Sequence, residues 1–139
     1  MKLITEVALP DYPFRIDHQS SMLMMGSCFT ENIGQLLTKY LFPICINPFG
    51  ITYNPLSAKK GLEALINKES YEAGDLDKYQ DLWFSYAHDT GFSSPSPEKT
   101  LEKINQAFQV GKEILRKADY LLITWGTSWV FRSKNSGEV

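Results

Sequence analysis

The sequence predicts an α/β fold built on a parallel sheet, and three observations carry that prediction. Short apolar runs at about residues 22–26, 42–46 and 119–125 have the length and composition of buried strands. Between them, at about residues 30–40, 58–67 and 97–117, apolar residues recur at helical spacing. The run Asp119-Tyr120-Leu121-Leu122-Ile123-Thr124-Trp125 is apolar almost throughout rather than alternating, as in strands covered on both faces. Strands alternating with helices through right-handed crossovers give a parallel sheet between two helical layers. The expectation is the first part of a three-layer, flavodoxin-like sheet with strand order 2-1-3, in one domain over residues 1–139.

Residues 1–20 hold Pro10 and Pro13 with little periodicity and read as a lead-in arm ending at His18, a surface histidine. Ser21 to Met25 is the first strand, and Gly26 and Ser27 suit a sharp turn. Thr30 is a plausible N-cap, followed by Glu31 and Asn32 in a first turn and by Ile33, Leu36, Leu37 and Tyr40 on one helical stripe. Cys28 thus falls between the carboxyl end of a strand and the amino end of a helix. Free backbone N–H groups and a partial positive charge there favour a thiolate, and the same N–H groups suit an oxyanion. The other reading of Cys28 is a small buried hydrophobe.

Leu41 to Ile46 forms a second strand, with Cys45 between isoleucines and expected to be buried and inert. The loop Asn47–Pro55 is rich in turn signals yet apolar. It reads either as a rigid turn or as part of a ligand crevice at the sheet's carboxyl edge. In the second reading the Gly50 N–H is a candidate oxyanion donor and the Asn54 side chain a further one. Ser57 looks like the N-cap of a helix over Ala58–Asn67, and residues 68–80 read as a polar connecting loop. In the stretch 81–94, Trp83, Phe84, Tyr86 and Phe92 interleave with Ser85, His88 and Asp89. Such a segment serves as a pocket wall or as an aromatic hairpin over the core. His88 is its one candidate base, and Trp83 a candidate substrate contact.

Ser96-Pro97-Glu98 opens the longest helix with a cap, an N1 proline and a first-turn acid. Gly126-Thr127-Ser128 forms a turn at the carboxyl end of the third strand, and Lys134–Glu138 reads as a hairpin turn with Val139 beginning a return strand. A half-made hairpin leaves an unpaired edge, so the chain is expected to be the N-terminal part of a longer protein.

Composition excludes several classes. The chain is 43% hydrophobic and 22% charged, ordinary globular usage, and its net charge of -2 carries no basic run suited to nucleic acid or anionic membrane. No apolar stretch approaches the roughly 20 residues that span a bilayer, and Met1–Glu6 lacks a signal-peptide core. Two cysteines make no disulfide framework, so a cytoplasmic, reducing location is expected. A Cys28/Cys45 redox switch is a minor alternative that needs the two sulfurs within reach. Neither histidine has metal-ligand spacing, so no metal site and no cofactor is expected.

The run Gly26-Ser27-Cys28-Phe29-Thr30-Glu31-Asn32-Ile33-Gly34 resembles the name-giving motif of the GSCFA-domain family, related to SGNH (GDSL-type) hydrolases, with Thr30 where the family name has alanine. Asn47–Pro55 resembles that family's second block and Trp125–Val130 its third. In SGNH enzymes a nucleophilic serine follows a Gly-Asp pair. Laid over this motif, the serine falls on Cys28, while Ser27 takes the aspartate position and is the weaker nucleophile candidate. The third block supplies an oxyanion-hole asparagine in SGNH enzymes, and Gly126–Trp129 holds none, so Thr127 or Ser128 stands in. The SGNH catalytic histidine lies in a last block that nothing here matches, leaving a base outside this chain or His88. The resemblance implies an esterase or acyl-transfer enzyme acting on a small-molecule or glycan ester. The alternative is a non-catalytic module that binds an acyl or glycan ligand through Trp83, Trp129 and backbone donors.

Overall fold

The structure is a computed structural model that describes residues 5, 7, 8, 10–134, 137 and 139. Residues 1–4, 6 and 9 of the expected lead-in, and Asn135, Ser136 and Glu138 of the expected hairpin turn, lie outside the described residues.

Strands β1 (Met22–Gly26), β2 (Ile44–Ile46) and β5 (Tyr120–Thr124) form a parallel sheet in the order β2-β1-β5. This is the 2-1-3 order expected of the three sheet strands. β1 is central and buried along its whole length, which is why its sequence shows no polar alternation. The register pairs Leu23 with Cys45 on one side and with Leu121 on the other.

Successive strand residues point to opposite faces, and the sheet packs accordingly. Leu23, Met25 and Cys45 face one layer, where they meet Leu65 of helix α2 (Pro55–Asn67) and Ile104 and Phe108 of helix α3 (Pro97–Lys117). Ile46 faces the other layer, against helix α1 (Cys28–Lys39), where a side chain on Gly34 would collide with it at 2.7 Å. An antiparallel hairpin, β3 (Asp77–Tyr79) with β4 (Leu82–Phe84), lies in the connection between α2 and α3. The lead-in runs beside β5, with Phe14 packed on the Tyr120 ring at 5.7 Å. No helix among the described residues is long and apolar enough to cross a membrane.

Three local expectations are corrected. α1 begins at Cys28 with Ser27 at its N-cap position, so Thr30 is not the cap. Thr30 is fully buried, and its hydroxyl bonds Thr124 across the sheet instead of a first-turn N–H. α2 begins at Pro55, capped by Asn54 rather than Ser57, because the Asn54 Oδ1 accepts the Ser57 N–H at 2.9 Å. Strand β3 falls inside what reads as a connecting loop, because its three residues are all exposed and carry no hydrophobic period.

Candidate functional site

The chain leaves β1 through Gly26 and Ser27 and enters α1 at Cys28. Gly26 has φ +144°, a backbone region favourable only to glycine. An added Cβ there would also lie 2.3 Å from the Thr124 carbonyl oxygen. The turn is held from both flanking strands. The Gly26 N–H donates to the Asn47 side-chain oxygen at 2.8 Å, and the Ser27 N–H donates to the Thr124 hydroxyl at 3.1 Å. The Gly26 carbonyl accepts the Thr52 N–H at 2.9 Å. Asn47 also donates to Glu31 of α1 at 2.8 Å, which ties the helix to the same anchor.

Cys28 is exposed on the first turn of α1, whereas Ser27 is 7% exposed. The Ser27 hydroxyl lies 3.0 Å from the Thr124 hydroxyl and makes no capping bond to the helix. The first bond into the helix is from the Glu31 N–H to the Ser27 carbonyl, at 3.2 Å. Among the described residues, the N–H groups of Cys28, Phe29 and Thr30 that precede it find no acceptor, leaving the first-turn donors of α1 open.

Beside this turn, at the carboxyl edge of the sheet, lies a crevice of about 260 Å³. Thr52, Tyr53 and Asn54 line it from the β2–α2 loop, Ala87, His88 and Asp89 from the segment after β4, and Thr127, Trp129 and Phe131 from the segment after β5. It therefore brings together four of the predicted site and ligand-contact residues, Asn54, His88, Thr127 and Trp129. Cys28 and Ser27 do not line it; they connect to it through the Thr52–Gly26 bond and through Thr124. A larger hollow of about 650 Å³ sits at the outer edge of β2 beside α3, with Lys103 and Val110 on its wall, and holds none of the predicted site residues.

Several of the expected donors are already engaged. The Gly50 N–H donates to the Asn47 carbonyl at 2.7 Å, closing a turn. The Gly126 and Thr127 N–H groups both donate to the Tyr53 carbonyl, at 2.8 and 3.1 Å. The Asn54 amide donates to the Ser57 hydroxyl at 3.0 Å as part of its cap. The Thr127 hydroxyl accepts the Trp129 N–H at 3.1 Å, and the residue lines the crevice. Ser128 is exposed and does not line the crevice. Trp83 is half-buried in β4, where its backbone pairs with Ser94 and its ring lies under the Lys78 ammonium, so it belongs to the hairpin rather than the crevice.

His88 sits among the rings of Tyr71, Phe92 and Phe49, at 4.8, 5.1 and 5.3 Å. Both ring nitrogens are buried with no hydrogen-bond partner among the described residues. Burial pushes its pKa down to about 4, against the opposing pull of Asp89 and Asp75, so the imidazole is neutral near pH 7. Asp89 does not pair with it. The Asp89 carboxylate accepts the Ile51 and Gly91 N–H groups at 3.1 and 2.8 Å and lies against Gly50, whose φ is +84°. The Asp-Thr-Gly order marks the local bond to Gly91, a side chain accepting an N–H two residues on, whereas the hold on the Gly50 loop joins residues 38 positions apart and leaves no local signal.

Cys45 is buried and its thiol is pushed up to about 11 by desolvation. It lies level with Leu23, and the three residues from there to the end of β1 span roughly 10 Å. Cys28 lies beyond that end, so the two sulfurs are not placed for a disulfide, which needs Cα atoms within about 7 Å. Among the described residues no group of three His, Cys, Asp or Glu side chains comes together to hold a metal ion.

A model of the GSCFA family matches residues 21–139. No curated protein and no solved structure matches the chain.

Proposed function

Because this chain belongs to the GSCFA family, we propose that it is an SGNH-like hydrolase, an esterase or acyl-transfer enzyme with Cys28 as its nucleophile. The observation that carries the reading is the exposed Cys28 sulfur at the uncapped start of α1, on a turn clamped from both neighbouring strands. The substrate class is an ester or acylated carbohydrate, with the exposed rings of Trp129, Phe131 and Tyr86 around the crevice as its contact surface.

The Cys28 thiol first passes its proton to solvent water. The Cys28 thiolate attacks the ester carbonyl carbon, and charge collects on the carbonyl oxygen. The first-turn N–H groups of α1 offer donors to that oxyanion, and Thr127 lines the neighbouring crevice that receives the rest of the substrate. Collapse breaks the carbon–oxygen bond, and the alcohol leaves with the proton that the thiol gave up. Water, or an acceptor alcohol, then attacks the thioester and releases the thiol and the acid or new ester. A reducing, cytoplasmic compartment would keep the thiol available.

His88 enters this reading as a neutral crevice wall. Its buried nitrogens and depressed pKa make it a weak proton acceptor near pH 7.

The test is turnover of p-nitrophenyl acyl esters by the full-length protein. Cys28→Ala is expected to lose at least about 100-fold in kcat/KM, the order lost when a nucleophile is removed. Unchanged turnover in that variant overturns the reading. A second reading, an acyl- or glycan-binding module, is favoured by the same exposed rings. It predicts ligand binding that Cys28→Ala leaves intact, with no turnover in the wild type.

A further inference from the structure

We propose that Thr124 is a positioning residue whose hydroxyl locks the turn that presents Cys28, an inference that rests on the reading of Cys28 as the nucleophile. Three groups converge on that one oxygen. The Ser27 N–H donates to it at 3.1 Å, the Ser27 hydroxyl lies at 3.0 Å and the Thr30 hydroxyl at 2.5 Å. A hydroxyl has one proton and two lone pairs. Here it accepts the amide, accepts one neighbouring hydroxyl and donates to the other, so its capacity is filled.

The consequence falls on Cys28 from both sides. Ser27 precedes it and Thr30 follows it by two residues in the first turn of α1, and both are tied to the same atom of β5. The Gly26 carbonyl and amide are separately held by Thr52 and Asn47. The backbone that carries the Cys28 sulfur and the first-turn amides is therefore fixed relative to the sheet. This arrangement also ties the Ser27 hydroxyl to β5.

Two reactions separate holding from folding. Acylation of Cys28 by p-nitrophenyl acetate is accelerated by donors aligned on the oxyanion, whereas alkylation by iodoacetamide forms no oxyanion and gains nothing from them. In the full-length protein, Thr124→Val keeps the side-chain shape and removes the oxygen. We expect its acylation rate to fall at least about tenfold relative to its alkylation rate, and Thr124→Ser to restore the ratio. A wild-type ratio in Thr124→Val overturns the proposal. Amide hydrogen exchange at Ser27 provides a measurement on the unaltered protein. Strong protection is expected, and exchange at the rate of an unstructured peptide overturns the proposal whether or not the valine variant folds. If wild-type Cys28 takes no acyl group, the reading of Cys28 as nucleophile fails, and protection of Ser27 alone then decides whether Thr124 holds the turn.

Discussion

The imidazole of His88 is held by rings rather than by hydrogen bonds. Tyr71, Phe92 and Phe49 surround it, and its two buried nitrogens find no partner among the described residues. Such a group tolerates the neutral form only. Its pKa of about 4 in the folded chain lies below the ordinary 6.5, because burial penalises the cation. The unfolded chain therefore binds this proton more readily, and stability is lost as pH falls from 6.5 toward 4. The full shift corresponds to roughly 3 kcal/mol. His88→Phe keeps the ring packing and removes the titration. Its unfolding free energy is expected to lose less than that of the wild type between pH 7 and pH 4, by on the order of 2–3 kcal/mol. Parallel pH curves for the two proteins, measured by urea unfolding, would show that His88 is not buried neutral. In the sequence His88 is simply a histidine among aromatics, and whether it faces water or a ring cage depends on Tyr71, 17 residues away across the hairpin.

At the level of elements, α1 shows where reading by period stops. Its apolar residues recur at helical spacing, yet Leu36 and Tyr40 are exposed, and the fully buried contacts are made by Thr30 and Gly34. Close approach to Ile46 requires the glycine, and the bond to Thr124 requires the threonine. Both needs arise from strands that pack on α1 from elsewhere in the chain, so the helix's own pattern does not reveal them. α3 shows the opposite case. Its cap Ser96, its first proline and its last basic turn are all local, and the observed span Pro97–Lys117 coincides with the expected one. The loop 47–52 is intermediate. Its turn residues are evident, but the carboxylate that locks it comes from Asp89, beyond both α2 and the hairpin. Asp89→Ala removes the acceptor for the Ile51 and Gly91 N–H groups. The expected cost is at least about 3 kcal/mol, at about 1.5–3 for each bond to a charged group. A change within 0.5 kcal/mol in urea unfolding would mean that the loop holds itself.

Across the molecule, the parallel order β2-β1-β5 places the ends of all three strands together at one edge. The β1–α1 turn, the β2–α2 loop and the segment after β5 meet there, joined by Asn47, Thr52, Tyr53 and Thr124. That architecture and the position of Cys28 were legible from the strand–turn–helix pattern, since both are local consequences of where apolar runs end. The donor assignments were not. Whether an amide such as that of Gly50 is free or spent depends on its partner across the turn, and only the assembled loops decide that. On the proposed reading the exposed Cys28, and neither the anchored Ser27 nor the buried Cys45, takes the acyl group. The most direct measurement is peptide mapping by mass spectrometry of the full-length protein after brief exposure to p-nitrophenyl acetate. A single acetyl group on Cys28, lost again on hydrolysis, is expected. An acetyl group on Ser27, or none on Cys28 while surface lysines are labelled, would contradict the reading.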